Sequence, residues 1–184
     1  MKKGWLALLI LALFASFQEI SVAKEQKNIN DAGKELRMMA LSTPPSNLSF
    51  KPDKDYPKVY GVLVDWNIGD QVASILAMKD GTASLYTTSS FGIIGGQGHN
   101  RVRLAAEKCT RLAGKLYEKS NPVSNFNYPK QGQVYFYILT FNGTRVYVAD
   151  ENAIERGVDP TYPLFAAVQD LLTELRLITE DKIK

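Results

Sequence analysis

Two glycine-containing turn pairs frame this chain. Asp80-Gly81 sits between the apolar run Val72–Met78 and the segment Ala83–Thr88, and Asn142-Gly143 sits between Val134–Phe141 and Arg145–Ala149. Asp-Gly and Asn-Gly tolerate the positive φ that a two-residue hairpin turn demands. Each pair therefore predicts two antiparallel strands joined locally. The β-branched and aromatic run Val59–Trp66 reads as one more strand ahead of the first hairpin. In the second hairpin, Tyr135, Tyr137 and Phe141 fall on one face of the leading strand and Val134, Phe136 and Ile138 on the other.

Helical periodicity separates the two strand groups. From Asn100 to Lys119, apolar residues recur at Val102, Ala105, Ala106, Cys109, Leu112, Ala113 and Leu116, the stripe of a helix packed on one side. Asn121-Pro122 is expected to end it. A last helix is expected to begin near Asp159-Pro160, a carboxylate cap before a first-turn proline, and to bury Leu164, Phe165, Val168, Leu171, Leu172, Leu175 and Ile178. Two one-faced helices need a sheet to cover. The expected fold is therefore a two-layer α+β domain with roughly five antiparallel strands, in chain order βββ-α-ββ-α. This element order resembles that of the profilin-like group, which includes roadblock and longin domains, although roadblock domains place two strands before the central helix and three after it. The resemblance covers element order alone and implies a fold, not a function.

The first residues carry an address. Lys2 and Lys3 precede an apolar run from Trp5 to Phe17, and Ser21-Val22-Ala23 offers small residues where a signal peptidase reads. Residues 1–23 are therefore expected to be a cleaved signal peptide, the run being shorter than the ~20 residues a spanning helix needs. The short Lys-Lys signal suggests bacterial export, to the periplasm or the medium. Residues 24–56 read as a short helix over Asp31–Leu41, with Ala32, Leu36, Met39 and Ala40 on one side, followed by a proline-rich linker. A single domain is expected over 57–184. An exported chain with one cysteine, Cys109, forms no internal disulfide and must be held by its core. Its place on the helical stripe makes Cys109 a buried, inert thiol. The formal net charge of +3 is reduced further once Lys2, Lys3 and Glu19 are removed, and no basic block is present, so nucleic acid is not an expected partner. No membrane span is expected after cleavage.

The segment Thr87–Arg103 is the best place for a site. Gly92, Gly95, Gly96 and Gly98 lie between a strand and a helix start, with Arg101 and Arg103 close by. Glycines let backbone N–H groups approach a ligand, and helix amino termini favour anions. The candidate binding residues are Asp65, Thr88, Ser89, Gly95, Gly96, His99 and Arg101. The opposing reading is a tight crossover whose glycines supply positive φ or close packing, and the spacing matches neither the dinucleotide fingerprint nor the P-loop. His99, the only histidine, has the chemistry of a general base, but no nucleophile motif accompanies it. Asp65, Trp66 and Asp70 form an acid–aromatic cluster that reads more simply as a turn. One histidine and one cysteine do not make a zinc site. No catalytic residue, metal or cofactor is expected. The leading expectation is a non-enzymatic module that binds a protein partner or a second copy of itself through an uncovered aromatic sheet face with Tyr135, Tyr137, Phe141 and Tyr147. The rival is a small-ligand or anion-binding protein, or a hydrolase, built on the glycine-rich loop 87–103.

Overall fold

The structure, a computed structural model, describes residues 32–89 and 92–180. The expected signal peptide lies outside them. A helix over residues 32–42 (α1) leads through a 3-10 turn at Pro45–Leu48 into strand β1 (Val59–Ile68). Strands β2 (Gln71–Met78), β3 (Ala83–Thr87) and β4 (Gly92–Ile94) follow, then helix α2 (Asn100–Gly114). The second half runs β5 (Asn121–Pro122), β6 (Gln133–Thr140), β7 (Gly143–Asp150), a short helix α3 (Glu151–Glu155) and α4 (Tyr162–Glu180). The strands form one antiparallel sheet in the order β4-β3-β2-β1-β6-β7-β5. The fold is thus α+β, as its pattern predicts, but the sheet has seven strands rather than five and is not specifically profilin-like. The two additions are β4 and β5, edge strands of three and two residues that are too short to leave a periodic signal.

Strand alternation divides the side chains between the two faces, with one register shift in β1 between Val59 and Gly61. Val62, Val64, Ile75, Leu85, Phe136 and Ile138 point to one face, where Val102, Ala106 and Cys109 of α2 and Leu164, Val168, Leu171 and Leu175 of α4 close the larger core. Tyr60, Leu63, Leu76, Tyr86, Tyr137 and Leu139 point to the other face. That face is not left to solvent: Ala40 and Leu41 of α1 pack on it, with Leu48, Phe50, Val123 and Phe126 around them. The expected two-layer arrangement therefore describes one side only, because the stretch ahead of Pro57 supplies a second cover. β1 lies at the centre, pairs with both β2 and β6, and is buried from Val59 through Asp65.

The turns follow the glycines, with a difference in detail. Gly81 and Gly143 have φ of 85° and 100°. In the first hairpin Met78 N–H donates to Thr82 O at 2.9 Å, so the loop is three residues, Lys79–Gly81, and glycine takes the left-handed position that ends it. In the second, Thr140 pairs with Gly143, which makes Phe141-Asn142 the loop. Both depart from the expected Asp-Gly and Asn-Gly two-residue turns and use glycine just after a tighter bend. A third tight turn, Gly69-Asp70 between β1 and β2, has Gly69 at φ 66° and accounts for Asp70.

The helix limits also move. α2 stops at Gly114 and gives way to a 3-10 turn at Tyr117–Lys119, and Asn121-Pro122, expected only to stop the helix, pairs with Val146 and Arg145 of β7. α4 starts at Tyr162, after Asp159 has turned its carboxylate onto the N–H (2.8 Å) and hydroxyl (2.6 Å) of Thr161. Pro163, not Pro160, is the first-turn proline. Helix α3, not anticipated, is capped by Asp150, whose side chain accepts from Ala153 N–H at 2.9 Å.

Candidate functional site

The α1 face of the sheet holds the most unusual chemistry of the fold. α1 buries Arg37, Ala40 and Leu41, with Arg37 only 1 % exposed. The expected apolar side placed Met39 inward, but Met39 is 57 % exposed. The helix is rotated because Arg37 has a partner: its guanidinium donates from Nε to both oxygens of Asp65 (3.1 and 3.0 Å) and from Nη2 to Oδ2 (2.5 Å). Its remaining donors reach the carbonyls of Phe126 (3.0 Å) and Asn127 (3.3 Å), and it lies 4.1 Å from the Tyr128 ring centre. Ser74 of β2 donates to Asp65 at 2.5 Å. Burial pushes the Asp65 carboxyl up, opposed by the bonds and charge of Arg37 and by Ser74. Burial by itself would lower the Arg37 value, yet the hydrogen bond and charge of Asp65 leave it raised. A group enclosed in this way ties α1 and the 123–130 loop to the sheet and has no free lone pair for a substrate.

Beside this lock, past the close approach of Gly33 to β3, where a Cβ would lie 2.5 Å from Thr87 O, α1 and the sheet leave a gap. A cleft of about 480 Å³ opens there. Its floor is Leu76 and Met78 of β2 with Ser84 and Tyr86 of β3, the next outward positions of the same face. Leu36, Met39 and Ala40 of α1 form one wall, and Leu48, which ends the 3-10 turn, forms another with Phe50. Phe50 is held at 5.6 Å, ring centre to ring centre, from Tyr60. The rim is polar: Asp80 and Thr82 of the first hairpin loop, and Gln97 past β4. Thr82 Oγ1 lies 2.9 Å from Asp80 Oδ2 and 2.5 Å from Gln97 Oε1. On the floor, burial raises the Tyr86 hydroxyl above its usual value, partly offset by its hydrogen bond with Ser84. A volume in the few-hundred-Å³ range with an apolar lining and few polar groups is the usual shape of a small-molecule site.

The glycine-rich loop borders this cleft at Gly95. Gly95 has φ 77° and open space where a Cβ would sit. Gly96 is there for packing: a Cβ would lie 2.6 Å from Val102 Cγ1 and 2.8 Å from Leu175 Cδ2. These are the two duties, positive φ and close approach, that a tight crossover asks of glycine. Arg101 points away, 79 % exposed and 3.9 Å from Glu174. His99 begins α2 in an extended conformation, exposed and without a side-chain cap bond.

The seven candidate residues do not converge. Gly95 is the one among them that lines the cleft. Asp65 is consumed by Arg37 and Ser74. Thr88 closes the end of the β2–β3 hairpin, its Oγ1 accepting from Val72 N–H at 2.9 Å and its N–H donating to Val72 O at 3.1 Å. Ser89 Oγ sits 2.9 Å from Thr87 Oγ1. Gly96, His99 and Arg101 lie where the crossover meets α2. Asp65 and Trp66 face opposite sides of the sheet, and Trp66 donates to Glu151 Oε1 at 2.6 Å, so no paired carboxylates arise from that cluster. Among the described residues no three His, Cys, Asp or Glu side chains group as a metal centre needs. No helix among them is long and apolar enough to cross a membrane. The aromatic face expected to receive a partner is covered: Tyr137 is 1 % exposed, under Phe126 at 5.8 Å, and Tyr147 belongs to the opposite face. No family model, curated protein or solved structure matches the chain.

Proposed function

We propose that this chain is an exported, non-enzymatic binding module whose site is the cleft between α1 and the β2–β3–β4 end of the sheet. Its ligand is a small apolar or amphipathic molecule. The observation that carries the reading is the cleft itself: about 480 Å³ left unfilled, walled by side chains from four separate segments. Catalysis has no comparable support, because the candidate base His99 and the candidate acid Asp65 belong to different surroundings.

The test is binding of a neutral apolar fluorophore, N-phenyl-1-naphthylamine, to the full chain. Saturable one-site binding is expected. Ala40→Phe, which places a ring in the cleft from a helix position that is 8 % exposed, should abolish it while the melting temperature is held or rises, as cavity filling often does. Met39→Ala, at an exposed helical position that alanine suits, should weaken it without unfolding the chain. Equal binding by Ala40→Phe and the parent would reject the cleft as the site.

A further inference from the structure

The cleft has a sign of charge as well as a shape. Among the described residues that line it, Asp80 is the one carboxylate and there is no lysine, arginine or histidine. Two cations, Lys79 in the hairpin loop and Arg103 beside it, stay outside the lining. Lys79 bonds the Asp53 carboxylate and Lys51 O. Arg103 lies over Gly81, where a Cβ would come within 2.1 Å of its Cγ, and its guanidinium donates to Asn100 Oδ1 at 2.6 Å. Asp80 itself is exposed at the rim and has no ion-pair partner among the described residues; its oxygens accept only from the N–H and hydroxyl of Thr82, both at 2.9 Å. A carboxylate needs more than two donors to fill its lone pairs. The floor adds the Ser84 and Tyr86 hydroxyls, which carry no charge in their ordinary state.

Resting on the cleft reading above, we infer that the site selects amphipaths with a cationic, amine-bearing head over those with an anionic head, and that Asp80 is the residue that selects. The apolar tail lies on Leu76, Met78 and Phe50 and the head reaches the rim beside Asp80. This reverses the charge preference expected from the glycine-rich loop, because neither Arg101 nor Arg103 is among the residues that line the cleft. Selection by one exposed carboxylate is modest: such pairs are worth about 0.2–1 kcal/mol and are screened by salt, which corresponds to roughly a two- to fivefold preference.

The experiment is displacement of the bound fluorophore from the full chain at neutral pH by three ten-carbon probes: decylamine, decanol and decanoate. Decylamine is expected to compete about two- to fivefold better than decanol, and decanoate worse than either. The gap should close at high salt and in Asp80→Asn, which keeps the acceptor for Thr82 and so the turn. Equal competition by all three probes overturns the charge inference while leaving the cleft reading intact. Tightest competition by decanoate, lost in Arg103→Ala, overturns it in favour of an anion site. Failure of every probe to displace a bound fluorophore removes the cleft reading, and this inference with it.

Discussion

Arg37→Met is the most incisive perturbation of this fold. The methionine keeps most of the length and apolar bulk of the arginine stem but removes the guanidinium. Asp65, 0 % exposed, would then keep a single side-chain donor, Ser74, and the carbonyls of Phe126 and Asn127 would lose their arginine donors. Breaking a buried pair by removing one partner costs about 3–5 kcal/mol, because the other charge stays buried and unpaired. For a domain of this size about 1 kcal/mol moves the melting temperature by roughly 2–4 °C, so a fall of roughly 6–20 °C is expected in thermal or urea unfolding. The partner variant Asp65→Leu should cost a similar amount, leaving a buried guanidinium against Tyr128 and Tyr137. The double variant Arg37→Met/Asp65→Leu removes both charges and should recover most of the loss, since apolar replacements of buried pairs are often near neutral. Additive losses in the double variant, or a loss below about 1 kcal/mol for Arg37→Met, would refute the claim that this pair locks α1 to the sheet.

Two further outcomes follow from burial and close packing. Cys109 is fully buried and burial pushes its thiol up to about 12, so a thiol reagent at pH 8 should label it only once denaturant is added; rapid labelling of the folded chain would contradict the α2 register. Gly96→Ala forces a methyl against Val102 and Leu175, both fully buried, and should cost about 1–3 kcal/mol by overpacking, whereas Gly98→Ala, with open space around its Cβ and no positive φ, should change the melting temperature little; equal melting temperatures for the two variants would show that Gly96 is not a packing contact.

The legible parts of this fold were those written in local periodicity. The hairpins, the α2 stripe with Cys109 inside it, and the division of Tyr135 and Tyr137 from Phe136 all follow from patterns within one element, because a strand or helix that buries one face must repeat with its own period. The edge strands were not legible. β5 is two residues long, and its pairing with β7 is set by where the chain must pass after α2, not by composition.

The face of α1 was misread for a physical reason that also explains why the site was missed. An apolarity pattern counts arginine as solvent-facing, and on that count Met39 goes inward and Arg37 outward. The structure reverses this because a lone carboxylate, Asp65, interrupts the apolar run Val59–Trp66 on a strand buried on both faces. A buried acid obliges some cation to follow it inside, and the sequence offers Arg37 on the one helix left without a docking face. Had Asp65 been read as a demand for a partner, not as a candidate acid, Arg37 would have been the answer and the rotation of α1 its consequence. That rotation turns Met39 to the rim and sets Leu36 and Ala40 along one wall of the cleft. The ion pair holds α1 at β1 while Gly33 meets Thr87 of β3, and the cleft lies between Leu36, Met39 and Ala40 of the helix and the β2–β3 floor. A cleft formed in this way leaves no motif, since none of its lining residues is chosen for chemistry that a spacing pattern can reveal.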